Sequence, residues 1–332
     1  MRVGVVLAAG GSVGVAYHGA VLAALEEATG WDPRSAEIIV GTSAGSITGA
    51  MLRAGVPACD LRAISENQPL SAEGARLADL GRPHRPRSQP GQFLGLRPVA
   101  DPIAVLNAFA RPGSHHPLAL LAALMPAGQV STDAISVGLN AVFADGWPAE
   151  RMWICSVDLR SGRRVVFGKE GEPEAAVGDA VAASCAIPGY FRPVRIGVRR
   201  YVDGGVHSMV NLDLVAGLGL DLVVVSSPLS QEVGRVTLAP GTVLRQLLRA
   251  QLAREVAALR RTGVPVIAVQ PDRRVTVAMG LNPMDARLRG PVSRVTFSSV
   301  TQWLNEDGTE GRRLAEMLAG EGEGRPPQAV AM

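Results

Sequence analysis

Glu37-Ile38-Ile39-Val40-Gly41-Thr42-Ser43-Ala44-Gly45, followed by residues 46–54 and Gly55, is the stretch that decides the fold. Residues 37–40 are short and β-branched, which predicts a buried strand, whereas residues 46–54 have helical composition and stop at a glycine. Between them stands G-x-S-x-G. Glycine is needed on both sides of Ser43 because a side chain at 41 or 45 would strike the adjoining strand and helix at so sharp a bend. Such a turn presents a serine hydroxyl beside the positive end of a helix. The five-residue pattern alone recurs by chance, and the strand before it and helix after it give it weight.

The same rhythm extends toward the N-terminus. Residues 2–7 read as a buried strand, Ala9-Gly10-Gly11-Ser12-Val13-Gly14 as a glycine-rich loop, and residues 15–28 as a helix ended by Gly30 and Pro33. Repeated strand–turn–helix units predict an α/β fold with a parallel sheet. Farther on, residues 152–157 and 163–167 read as a hairpin, and 199–202, 221–226 and 264–269 as strands. Residues 132–143, 174–185 and 241–262 read as helices, as do 292–318 with a break near Gly308. Residues 69–128 form an irregular insertion: residues 81–91 are Pro- and Arg-rich, and 117–125 form a short apolar helix. A lid and a solvated loop are both open for it. The expected domain is 1–318, with 319–332 a disordered tail.

The 332 residues are 47% hydrophobic and 19% charged, enough to bury a large core and too apolar for a disordered chain. Cys59, Cys155 and Cys185 are widely spaced with no C-x-x-C pair, which argues against a disulfide framework or a structural zinc site and predicts a reducing compartment. Aromatic residues are 4% and the net charge is +3, a poor match to nucleic-acid binding. Residues 3–25 carry no charge, yet Gly10, Gly11, Gly14, Tyr17 and His18 interrupt them. They read as strand, loop and helix rather than a signal peptide or membrane span. The expected location is the cytoplasm, with peripheral contact at an anionic membrane through Arg76, Arg82, Arg85, Arg87 and Arg97.

Small residues at 9–14 let the N–H groups of Gly10, Gly11 and Ser12 point at one spot, suited to a phosphate or a developing oxyanion. A dinucleotide fingerprint fails twice. Ala9 stands where its first glycine belongs, and the second strand ends in Val40-Gly41 without an acid. A serine nucleophile needs a base, and the histidines are His18, His84, His115, His116 and His207. None follows a strand as a triad histidine should. Asp203-Gly204-Gly205 does follow one, and exposes a carboxylate at a tight turn, although Asp-Gly is also an ordinary turn pair.

Together these features resemble the patatin-like phospholipases. The resemblance is carried by the glycine-rich loop, the G-x-S-x-G turn, Ala183-Ser184-Cys185-Ala186-Ile187-Pro188 leading to Phe191-Arg192-Pro193, and Asp203-Gly204-Gly205 with Asn211 beyond. It implies a three-layer α/β fold, with a mostly parallel central sheet flanked by helices. It also implies a Ser43–Asp203 dyad without histidine, acting on a lipid or acyl-ester substrate with neither cofactor nor metal. Gly10, Gly11 and Ser12 would hold the oxyanion, and Gly14, Gly41, Gly45, Gly204 and Gly205 would shape the turns. The chain departs from the family loop at Ala9, where glycine is usual, and at Val13, where Arg or Lys is usual. Backbone donors survive both changes, so Val13→Arg is expected to fold and stay active and Gly11→Pro to lose kcat. An acyltransferase with the same acyl-enzyme and a catalytically silent lipid-binding protein are the alternatives. A Ser-His-Asp α/β-hydrolase would need a histidine after His207. Oligomeric state is left open.

Overall fold

Val3–Leu7 (β1) is buried at every residue, so it needs cover on both faces. The computed structural model, which describes residues 1–80, 122–230 and 240–322, supplies that cover with an eight-stranded sheet between helical layers. β1 pairs in parallel with Ile38–Thr42 (β2) on one side and Leu222–Ser226 (β7) on the other. Arg151–Asp158 (β3) extends the parallel set beyond β2, and Val266–Val269 (β8) extends it beyond β7. Arg164–Phe167 (β4) and Arg199–Asp203 (β6) run antiparallel to β3, with Val194–Ile196 (β5) at the edge beyond β6. The order is β5-β6-β3-β2-β1-β7-β8, with β4 also on β3. The expected mostly parallel α/β sheet is therefore present.

Alternate residues of β1 feed opposite cores, as period-two side chains must. Val3, Val5 and Leu7 join Tyr17, Leu22 and Leu25 of Gly11–Thr29 (α1), together with Leu52, Leu61, Val300 and Leu304. These come from Ala44–Arg53 (α2), Ala58–Glu66 (α3) and, for the last two, a long C-terminal helix described below. Val6 joins Ile38, Val40 and Val223 against Leu252, Val256 and Leu259 on the other face. Each fully buried aliphatic side chain contributes roughly 1.5–3 kcal/mol, which fixes the helices on the sheet.

The other α-helices among the described residues include Ala72–Leu80 (α4), Asp133–Val142 (α5), Val177–Ser184 (α6), Pro240–Arg260 (α7), Arg273–Met279 (α8), Arg289–Asn305 (α9) and Glu310–Gly322 (α10). Several differ from the sequence reading. α1 starts at Gly11 rather than residue 15, because the end of the glycine-rich stretch winds into the first turn while Val13 N–H donates to Pro283 O at 3.1 Å. α10 runs through Gly322, four residues past the expected end of the domain, and its Leu314 and Leu318 are fully buried. α3, α4, β5 and α8 were not anticipated. α8 did have a sequence signal, because Asp272 caps it by accepting from Val275 N–H at 2.8 Å. Of the insertion, residues 81–121 lie outside the described residues, with Arg82, Arg85, Arg87, Arg97, His84, His115 and His116. Residues 323–332 of the tail also lie outside them. No helix among the described residues is long and apolar enough to cross a membrane.

Candidate active site

Ser43 follows the last residue of β2 and caps α2 with φ 53° and ψ −118°, a left-handed backbone that few residues other than glycine adopt. Its side chain makes no capping bond, so the hydroxyl is left for another partner. The bend is possible because Gly45 lies directly on β1: a Cβ there would stand 1.9 Å from Leu7 O. A Cβ on Gly41 or Gly204 would stand 2.6 Å from Ser46 Cα or 2.4 Å from the Cys155 carbonyl oxygen, and one on Gly14 would stand 3.1 Å from Ala44 Cβ.

Sheet register brings Asp203 to this serine. Thr42 pairs with Cys155 of β3, and Asp203 pairs with the next residue, Ser156. β4 occupies the opposite edge of β3 at the same level, pairing with both Cys155 and Ser156. β2 and β6 therefore share one edge of β3 and meet end to end, Ser43 at the end of one and Asp203 at the end of the other. The Ser43 hydroxyl is close enough to the Asp203 carboxylate to lower its pKa. Both residues are almost wholly buried, at 3% and 5% exposure. Burial raises the Asp203 pKa from 3.8 to about 6, and the Ser43 hydroxyl and the Gly205 N–H pull it back toward the usual range. One carboxylate oxygen accepts from Gly205 N–H at 2.8 Å.

Three long-range bonds fix the pair. Ser43 N–H donates to Ser184 Oγ at 2.9 Å, and Ser184 Oγ donates to Cys155 O at 2.6 Å. Asp203 N–H donates to Ala186 O at 3.0 Å, so one segment at the end of α6 holds both residues. Asn211, also with a positive φ, donates through Nδ2 to Thr42 Oγ1 at 3.0 Å and to Ser208 O at 2.7 Å. Ser184 and Asn211 stood in the quoted motifs, but only the tertiary contacts reveal what each touches.

The glycine-rich stretch flanks the same site, with Ala9 against Gly205. Ala9 N–H is taken by Met209 O at 2.8 Å and Val13 N–H by Pro283 O. Among the described residues the N–H groups of Gly10, Gly11 and Ser12 have no such acceptor, which leaves three consecutive donors. Gly11 has φ 62°, and a Cβ on it would stand 2.7 Å from Pro283 O. Val13 is fully buried in the core beside α1, so the side chain at this position faces apolar residues.

Histidine is absent from this arrangement among the described residues. His18 is wholly buried, with Nε2 2.8 Å from Ala8 O and Nδ1 2.8 Å from Ser226 Oγ. A carbonyl only accepts, so Nε2 carries the proton and Nδ1 takes the serine's. Burial lowers the His18 pKa to about 4, which keeps the ring neutral. His207 is half-buried, and its N–H donates to Gly204 O at 3.0 Å. No cluster of His, Cys, Asp or Glu among the described residues is arranged to hold a metal ion.

The sequence pattern of patatin-like phospholipases matches residues 5–216, well over half the chain. The chain belongs to the patatin-like phospholipase family. Membership places it among hydrolases of ester bonds. Among solved structures it is similar to VipD from Legionella pneumophila, with 14% identity, 95% of this chain and 67% of that one covered, and a TM-score of 0.44. It is also similar to ExoU in complex with SpcU, from the type III secretion system of Pseudomonas aeruginosa. There the identity is 18%, the coverage 97% and 58%, and the TM-score 0.37. The chain thus spans little more than half of that second structure. Within this patatin-like protein, Pro228, Pro283 and Met284 abut the glycine-rich loop from beyond the matched stretch.

Proposed function

We propose that this protein hydrolyses lipid acyl esters of the phospholipase A, lysophospholipase or esterase type, with Ser43 as nucleophile and Asp203 as its base. The observation that carries this reading is the buried Ser43–Asp203 pair at the meeting point of β2 and β6, with Asp203 made more basic by burial. A carboxylate with a pKa near 6 is a far better proton acceptor than a free one, and is still ionised at neutral pH.

Ser43 Oγ attacks the ester carbonyl carbon while its proton passes to Asp203. The carbonyl oxygen, now negative, is held by the N–H groups of Gly10, Gly11 and Ser12, each well-placed donor contributing about 3 kcal/mol. Collapse of the tetrahedral adduct expels the alcohol or lysolipid, which takes the proton from Asp203. Water then attacks the acyl-enzyme, gives its proton to Asp203, and the fatty acid departs as Ser43 recovers the proton. None of these steps asks for a cofactor or metal.

Peripheral contact with a membrane belongs to the same reading. Its support among the described residues is the exposed Arg76 and the aliphatic side chains Leu247, Val277 and Leu281, the last 94% exposed.

A fluorophosphonate probe tests the proposal. It is expected to modify Ser43 in the native protein, to leave Ser43→Ala unlabelled, and to label Asp203→Asn far more slowly. Labelling at another serine, or unaltered labelling of Asp203→Asn, overturns the dyad.

A further inference from the structure

Arg245 lies on α7, outside the stretch that matches the family pattern. Its Nη1 donates to Pro228 O at 3.2 Å, and its Nη2 lies 3.8 Å from Met279 Sδ. No carboxylate among the described residues pairs with it. Two other arginines are better satisfied, whereas Arg289 at the start of α9 has no acid beside it among the described residues either. Arg164 makes a two-pronged pair with Asp213, and Arg53 reaches three backbone carbonyls, those of Arg34, Ala36 and Arg151. A guanidinium has five N–H donors, so one carbonyl and one thioether leave most of its capacity unused. Burial lowers the Arg245 pKa, with no acid among the described residues to offset it. A half-buried cation without an anion is costly unless an anion arrives with a ligand.

Both residues that Arg245 touches belong to segments clamped on the glycine-rich loop. The Pro228 ring covers Gly10 and Gly14: its Cγ is 2.5 Å and 3.4 Å from where their Cβ atoms would stand. Met279 ends α8, and four residues later Pro283 O accepts the Val13 N–H. Arg245, with no acid beside it among the described residues, therefore touches the two segments that pack on the three N–H donors. The loop itself has Val13, buried in the core, where the family usually has a basic residue.

We propose that Arg245 is an anion subsite of the acyl-ester site. It would bind the phosphodiester oxygens of a phospholipid whose ester carbonyl sits at Gly10, Gly11 and Ser12. This rests on the hydrolase reading above, and a charge-assisted hydrogen bond to phosphate is the interaction invoked. A carboxylate, such as the fatty-acid product, offers similar oxygen chemistry, so the test separates the two.

Turnover is measured on dihexanoyl phosphatidylcholine and on dihexanoylglycerol, which share their acyl esters and differ in the phosphodiester. The ratio of kcat/KM for the first over the second is expected to fall about tenfold in Arg245→Gln, one lost charged contact, mainly through KM. Arg245→Lys should restore part of it. An unchanged ratio, even with both activities lowered, overturns the proposal and leaves Arg245 as a brace for Pro228 and Met279. If the native protein hydrolyses neither lipid, the hydrolase reading falls, and the subsite is decided by thermal melts instead. Inorganic phosphate should raise the native Tm more than hexanoate does, and should not raise that of Arg245→Gln. Equal responses in the two proteins, including none, overturn the subsite; a larger response to hexanoate overturns its assignment to phosphate.

Discussion

The Ser43 N–H donates to Ser184 Oγ at 2.9 Å across 141 residues of chain. The same hydroxyl donates onward to the Cys155 carbonyl of β3, so the G-x-S-x-G turn is tied to the sheet through one side chain. Ser184→Ala leaves a buried donor and a buried acceptor unpaired, at about 1–3 kcal/mol each. The expected outcome is a lower Tm and a kcat reduced by roughly tenfold or more, with KM little changed, because the hydroxyl loses its fixed position. Melts and steady-state kinetics on one preparation check this.

As the proposed base, Asp203 is expected to set the acid limb of the rate. With its pKa raised from 3.8 to about 6, kcat/KM should fall as pH drops through about 6, when the base becomes protonated. The stability effect has the opposite sense. The native state holds this proton more tightly than the unfolded chain, so its contribution is fully present below 3.8 and is lost as pH rises through about 6. At pH 8 the buried charge costs about 3 kcal/mol. Asp203→Asn should therefore be inactive yet melt higher than the native protein at pH 8, with the advantage gone near pH 4. A lower Tm than native at pH 8 would contradict the burial argument.

His18 is expected to matter for folding and not for turnover. Its neutral ring bridges Ala8 O and Ser226 Oγ, and a pKa lowered to about 4 means its contribution is present above 6.5 and fades as pH falls toward 4. His18→Gln should lower Tm at pH 7 while the folded fraction keeps kcat within about threefold of native, since no step of the reaction uses the ring. His84, His115, His116 and His207 should each be replaceable with similar activity. A folded histidine variant as inactive as Ser43→Ala would refute the dyad.

The oxyanion donors are better tested at Ser12 than at Gly11. A φ of 62° and the Pro283 carbonyl leave no room for proline at 11, so Gly11→Pro is expected to unfold the loop, contrary to the sequence expectation. Ser12 lies in the first turn of α1, where proline is tolerated and the N–H has no intrahelical acceptor. Ser12→Pro should fold and lose kcat by roughly 10²–10³ with little change in KM. Near-native kcat in a folded Ser12→Pro protein would move the oxyanion site elsewhere.

Val13→Arg is expected to fail for a reason invisible in the sequence. The Val13 side chain is fully buried in the α1 core, so arginine there places a charge among apolar residues. A Tm drop large enough to abolish folding at 37 °C is expected, whereas Val13→Ile should be well tolerated. Thermal unfolding of the two variants decides the matter.

Local chemistry made much of this protein legible from its amino acids. A β-branched run, a G-x-S-x-G turn and a helical run need only neighbours in the chain to form, so β1, β2, α2 and the exposed turn at Ser43 follow from short-range sterics. Order and spacing of the quoted motifs also pointed to Asp203. What the sequence did not determine depends on residues far apart. Only the register of β2 and β6 on one edge of β3 brings Ser43 to Asp203, and only burial by the folded chain raises that carboxylate to about 6. The same holds for Val13, which looks like a loop residue until its N–H meets the Pro283 carbonyl in the first turn of α1, and for Arg245, whose lack of a carboxylate among the described residues appears only when α7 meets α8. Periodicity and turn sterics act over a few residues. Register, desolvation and charge pairing are properties of the assembled molecule, and they decide how the candidate site works.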